Sequence, residues 1–141
     1  MDTIRIDWYI FDECDLRDQD LSERNLVGAH FLKADARGTF FIKSQLKGAH
    51  FEGADLRNAY FVGANLRNAH FEGADLRGAI FTWADLRGAF LQGSITDERT
   101  TWDDAQMGDY VEEMPSHRIT DGIPKIDFEE LLMEAEASTA I

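Results

Sequence analysis

Three histidines recur twenty residues apart: His30, His50 and His70. Glu52 and Glu72 each follow a histidine by two positions. Imidazole nitrogens and carboxylate oxygens are donors that zinc and similar ions accept, so these histidines are the candidate metal ligands. Side chains repeated on chain segments about 4.8 Å apart stand side by side and do not converge on a point. The expected outcome is therefore a solvated ladder with no metal and no cofactor. A second series alternates in sign. Arg17, Arg37, Arg57 and Arg77 each lie two positions after Asp15, Asp35, Asp55 and Asp75. Such pairs are expected to satisfy one another at the surface, each worth little. The aspartates also cancel the arginines as a phosphate-binding footprint, so no nucleic-acid partner is expected. The chain carries no GxSxG, phosphate loop, CxxC or Ser/His/Asp arrangement. No catalytic residue is named, and the chain is expected not to be an enzyme.

These residues must be positioned by a five-residue repeat. Every fifth position from Phe11 to Leu91 is Leu or Phe, except Ala36. From Phe31 onward a small residue, mostly Ala, sits two positions before each of these positions. Nine of the eleven glycines sit two positions after one. On an α-helix, five residues advance about 140°, which would smear the large residues around the surface. A short extended piece followed by a turn fits instead: small and large residues inward, the polar residue between them outward, Gly or Asn at the corner. Such a unit buries nothing alone and must stack on its copies. The run HFEGADLR at 50–57 returns unchanged at 70–77, so one coil is twenty residues, or four pentapeptides. Phe dominates two opposite sides and Leu the other two. The expected core is Phe31, Phe41, Leu46, Phe51, Leu56, Phe61, Leu66, Phe71, Leu76, Phe81 and Leu86.

Ala54-Asp55-Leu56-Arg57-Asn58 and Ala64-Asn65-Leu66-Arg67-Asn68 resemble the A(D/N)LXX pattern of the pentapeptide-repeat family. The resemblance implies an all-β chain: a right-handed quadrilateral parallel β-helix, here of about four to five coils. The family is heterogeneous in role, so fold alone does not supply a function. Some dimeric members resemble duplex DNA in size and charge and protect type II topoisomerases such as gyrase. That DNA-mimic role is one alternative, although the coils of this chain are nearly charge-balanced.

Residues 1–93 carry 11 Lys/Arg and 14 Asp/Glu, whereas residues 94–141 carry 3 and 13. The net charge of −13 thus lies mostly in the C-terminal third. The sequence divides into an irregular first coil or cap (1–25, with a start near Ile4 and Ile6), a regular β-helix (26–93), and a cap, linker and acidic tail (94–141). Tyr9, Gln19 and Arg24 occupy phases meant for small residues, which predicts a distorted first coil. Trp102 is expected to lid the last coil. A helix is predicted over 103–114 with Asp103 as N-cap, and Pro115 and Pro124 bracket a linker. A stronger amphipathic helix is predicted over 128–138. Asp127 and Glu130 form its capping-box-like start, and Phe128, Leu131, Leu132 and Ala135 its apolar stripe. The lone Cys14 excludes an internal disulfide and points to a reducing compartment. No signal peptide and no membrane span are read, so a cytoplasmic location is expected.

One side of the coil differs from the others. Its outward residues are Phe40, Ile42, Tyr60, Val62, Ile80 and Thr82, with Trp83 at the corner. An uncharged stripe across three coils marks a contact surface, and aromatic anchors favour binding. The helix at 128–138 would cover it within the chain. A homodimer or another protein partner would cover it from outside, and the sequence leans that way because a Pro-bracketed linker need not fold back. The expected function is a non-enzymatic interaction or scaffold module, with the metal-binding histidine ladder as a further alternative.

Overall fold

A five-residue unit that turns at its end leaves its extended middle unpaired until another coil arrives. In the computed structural model, which describes residues 9–108, each coil supplies that partner to the next. Parallel bridges join each coil to the next at a spacing of twenty residues, as in His30 to His50, Asp35 to Asp55, Phe40 to Tyr60 and Gln45 to Asn65. The amide of Phe31 donates to the carbonyl of His50 at 2.7 Å, and the amide of His50 donates back to Ala29 at 2.8 Å. Each unit then turns: the amide of Ala34, for example, donates to the carbonyl of Phe31 at 3.1 Å. The third residue of each turn has positive φ, the type II geometry that favours Gly or Asn. Gly53 (φ 68°) fits it freely, whereas Trp83 holds φ 59° with a full side chain. Four such turns close one twenty-residue coil, and five coils stack from Ile10 to Gly108. The fold is a β-helix solenoid.

The core is the inside of the coils. Phe11, Phe31, Phe51 and Phe71 form one column, with successive rings 4.7 to 5.1 Å apart and within 11° of parallel. Phe41, Phe61, Phe81 and Trp102 form the column opposite, at 4.7 to 5.0 Å. The two columns meet edge to face at 5.6 to 5.9 Å, near perpendicular. Both stacked and T-shaped contacts suit the ring quadrupole. Leu46, Leu56, Leu66, Leu76 and Leu86 fill the other two sides and are buried, as is Ala36. Hydroxyls in the small phase stay satisfied: Thr39 donates to the Leu16 carbonyl at 2.8 Å and Ser44 to the Leu21 carbonyl at 2.6 Å.

The structure corrects three expectations at the ends. The first coil is not distorted, because Asp15, Asp20 and Asn25 pair in the same register as every later coil. Cys14, Gln19 and Arg24 are exposed. At the end of the stack the small-phase positions border water, so a long polar side chain there is not buried. The solenoid also runs past Gly93. Ile95 pairs with Asp75, Thr101 with Ile80 and Gln106 with Asp85, the last two at a spacing of twenty-one. The extra residue lies between 95 and 101, where Thr100 donates to the Leu76 carbonyl at 2.9 Å and the Asp97 carboxylate accepts from the Gly78 amide at 3.0 Å. A helix starting at Asp103 is therefore absent through residue 108. Asp103 and Asp104 form a turn, and Met107 is buried in the core, because the pentapeptide register resumes after the insertion. Trp102 ends the phenylalanine column and is buried against Phe81. The proposed start at Ile4 and Ile6, the remainder of the 103–114 helix, the linker between Pro115 and Pro124, and the helix at 128–138 lie outside the described residues.

Phe61 is fully buried, stacked on Phe41 and Phe81 and edge-on to Phe51 and Phe71. Phe61→Ala is expected to cost about 3–5 kcal/mol, the usual range for a buried Phe truncation. Urea denaturation followed by circular dichroism reads this directly. A midpoint equal to that of the parent would overturn the core assignment.

Candidate binding surfaces

Like residues lie over like residues on the outside as well. The rings of His50 and His70 stack with centroids 4.6 Å apart and planes within 5°. His30 lies 4.8 Å from His50, tilted by 34°, and Phe90 continues the stack above His70 at 4.5 Å. His50 Nδ1 is 3.2 Å from Glu52 Oε2, and His70 Nδ1 is 3.3 Å from Glu72 Oε2. An ionised carboxylate only accepts, so Nδ1 carries the proton in each pair. His50, Glu52 and His70 place one donor atom each within 4.8 Å of one another. The lone pair of an imidazole lies in its ring plane. A zinc ion about 2.1 Å from one nitrogen falls outside the plane of a parallel ring stacked above it. The arrangement is a ladder of His–Glu pairs, and a metal would need at least one ring to leave the stack.

The acid–base ladders are tighter. Arg57 donates from Nε to Asp55 Oδ1 at 2.9 Å and from its terminal nitrogen to Oδ2 at 2.6 Å. Arg17, Arg37, Arg77 and Arg87 repeat this fork with Asp15, Asp35, Asp75 and Asp85. Three guanidinium groups also reach one coil further, Arg17 to Asp35, Arg37 to Asp55 and Arg57 to Asp75, each at 3.7 Å. The arginine's side-chain hydrogen bond holds the carboxyls of Asp35, Asp75 and Asp85 below their ordinary value, against the opposing effect of burial. Asp15 is lowered in the same way to about 2. These charges are spent on one another.

The uncharged side carries a second apolar cluster, outside the coil core. Phe40, Ile42 and Val62 form it, with half-buried Tyr60 and Ile80 packed against them. Phe40 and Tyr60 stack at 4.7 Å and 5°. Here the expectation of an exposed stripe is corrected: Phe40, Ile42, Val62 and Thr82 are buried, and Trp83 at the corner is 52% exposed. The outward phase alone does not predict this, because it reports direction from the core and not what lies against the face. Sequence reasoning also missed a neighbouring cleft of about 350 Å³, lined by Arg17, Asp18, Arg37, Phe40, Asn58 and Tyr60. These residues come from three successive coils, so only the twenty-residue register reveals that they meet. Among the described residues, no helix is long and apolar enough to cross a membrane.

Residues 14–53 and 54–93 match the family model described as pentapeptide repeats, in eight copies. Among solved structures, the chain is 34% identical to a pentapeptide-repeat protein of the cyanobacterium Cyanothece 51142, over 60% of this chain and 64% of that one, with a TM-score of 0.34. This chain therefore spans less than two thirds of that protein's length. It is 25% identical to a pentapeptide-repeat protein of the Arabidopsis thaliana thylakoid lumen, over 84% and 76% of the two chains (TM-score 0.43). It is 18% identical to QnrB1, a plasmid-mediated fluoroquinolone resistance protein, over 88% and 72% (TM-score 0.51), a likeness of fold alone. No curated protein matches the chain.

Lowered carboxyl values make stability depend on acid. A group whose folded value lies below its unfolded one stabilises the fold above the unfolded value and loses that contribution as pH falls through the folded one. The melting temperature is therefore expected to stay level from pH 7 to about 5 and to drop below about pH 4, the ordinary aspartate range. Asp75→Asn should flatten that drop. An acid limb of unchanged slope in the variant would show that the ladder contributes nothing to it.

Proposed function

The chain belongs to the pentapeptide-repeat family, and from that premise we propose that it acts without catalysis, as a rigid interaction module that meets a protein partner on its uncharged side. One observation carries the reading. The cluster of Phe40, Ile42 and Val62, with Tyr60 and Ile80, lies outside the coil core on a side that shows no Asp–Arg fork among the described residues. Trp83 stands exposed beside it. Aromatic anchors on a dehydrated patch are what protein interfaces favour. The partner is another protein or a second copy of this chain, in a reducing cytoplasmic setting. The coils wind right-handed with a square section, as the family resemblance implies.

Topoisomerase modulation is the second reading. Its support is the family resemblance, and the fork-paired arginines work against it by neutralising the acidic rows a DNA mimic would display. A gyrase supercoiling assay with and without a quinolone decides it, and no change in either condition is the expected result. The histidine ladder as a metal carrier is the third reading, and zinc titration of the parent and of His50→Ala separates it.

Affinity capture from the native cell with the full chain tests the main reading, alongside Tyr60→Asp and Arg67→Glu. A partner retained by the parent and by Arg67→Glu should be lost with Tyr60→Asp, and light scattering should show whether that partner is a second copy. Equal capture by both variants would remove the uncharged side as the interface.

A further inference from the structure

We propose that the side built on Leu46, Leu66 and Leu86 is a second contact face, and that its occupant is an acidic polypeptide segment of another protein. The inference goes beyond the reading of the uncharged side and does not rest on it.

The residues just before and just after each large core residue flank it on the outside of the coil. On the side of Leu56 they are Asp and Arg, forked together. On the side of Leu66 the acid is replaced. Asn25, Gln45 and Asn65 stand in the first three coils, and a carboxylate returns at Asp85. The four are held in register by parallel bridges from Asn25 to Gln45, Gln45 to Asn65 and Asn65 to Asp85. The cations remain. Lys47, Arg67 and Arg87 follow one over another: the amide of Gly48 donates to the Arg67 carbonyl at 2.9 Å, and that of Asn68 to the Arg87 carbonyl at 3.1 Å. All three side chains stand on exposed residues, about 4.8 Å apart per coil.

The amides neutralise none of this charge. Asn65 Nδ2 donates to Gln45 Oε1 at 3.3 Å, and Asn65 Oδ1 accepts from the backbone amide of Arg67 at 3.2 Å. Arg87 forks onto Asp85 at 2.9 and 2.7 Å. Its side-chain hydrogen bond is the main cause that holds the Asp85 carboxyl below its ordinary value, and the charge of Arg67 is the least of the causes. Among the described residues, no carboxylate stands within ion-pair distance of Lys47 or Arg67.

Three cations against one carboxylate make this side positive in a chain of net charge −13. Lys47 and Arg67 repel one another across one coil step. A carboxylate placed over them removes that repulsion and accepts from Arg67 the fork that Arg87 gives to Asp85. The surplus is short. Asp85 borders it above, and exposed Glu23 stands at the corner below. A few carboxylates on a peptide match a patch of that size. A nucleic-acid strand carries a phosphate at every nucleotide and would run on across those acids, where nothing releases its counterions.

The test is NMR titration of the full chain, labelled with 15N, with a capped hexaglutamate peptide at low salt. The amide signals of residues 47, 48, 67 and 68 are expected to shift and saturate, while those of 52, 57 and 72 stay in place. Added salt should weaken the binding steeply, because exposed charges are screened. Lys47→Gln/Arg67→Gln should weaken it roughly tenfold, the loss expected for two exposed ion pairs, with circular dichroism unchanged. Arg57→Gln removes a forked arginine on the neighbouring side and should leave the binding at parental strength. Absence of saturable shifts, shifts centred on another side, or equal binding by the double variant would overturn the proposal. Tighter binding of a hexathymidylate strand at the same amides would overturn it too, by making the face a nucleic-acid site. The peptide has no apolar side chain, so the outcome is separate from capture on the uncharged side, which a change at Arg67 leaves in place.

Discussion

Up to Ile95 each coil lies on the next with residues over their counterparts twenty positions on, and this parallel register constrains the rest of the molecule. Backbone hydrogen bonds impose it, from Phe31 to His50 and from His50 back to Ala29. A side chain in such a stack must be compatible with its own copy. Phenylalanine meets the condition well, since parallel rings 4.7 to 5.1 Å apart leave their edges free for the opposite column. Histidine meets it when a glutamate accepts a hydrogen bond from its Nδ1. Aspartate over aspartate would repel, and the forked arginine in each coil, reaching to the next aspartate as well, removes that cost.

The same constraint sorts the surfaces by what they have left to offer. On the side of Asp15, Asp35, Asp55 and Asp75 each aspartate is paired with its own arginine. The histidine side pairs His50 Nδ1 with Glu52 and His70 Nδ1 with Glu72, and its rings stand in a stack. The side of Phe40, Tyr60 and Ile80 instead carries an apolar cluster in which Phe40 stacks on Tyr60 and Ile42 and Val62 are buried, a burial that is favourable in itself. Stiffness helps here, because the face is ordered before any contact forms and little entropy is lost on binding.

The stack must also end. At the first coil it ends in polar residues of the small phase, Gln19 and Arg24, which border water. At the last it ends with Trp102 over Phe81 and with Met107 buried in the leucine column. The single extra residue between 95 and 101 is absorbed where Thr100 and Asp97 supply side-chain hydrogen bonds to the coil before. Solenoid ends need such closure to avoid further pairing.

Period and composition alone determined the coil length, the inward phases and the Phe and Leu columns. The reason is that a repeated unit has a repeated environment: the phase that buries Phe61 is the phase that buries Phe41 and Phe81. The Asp–Arg pairing was legible for the same reason, since two-residue spacing places both groups on one extended piece. The ends were not legible. Arg24 in a small phase reads as strain until the structure shows its side chain exposed, and one inserted residue hid the register that Trp102 and Met107 rejoin. The burial of Ile42 and Val62 among Phe40, Tyr60 and Ile80 was equally invisible, because a repeat fixes which way a side chain points. What lies against it is a long-range contact, and only the tertiary structure decides that.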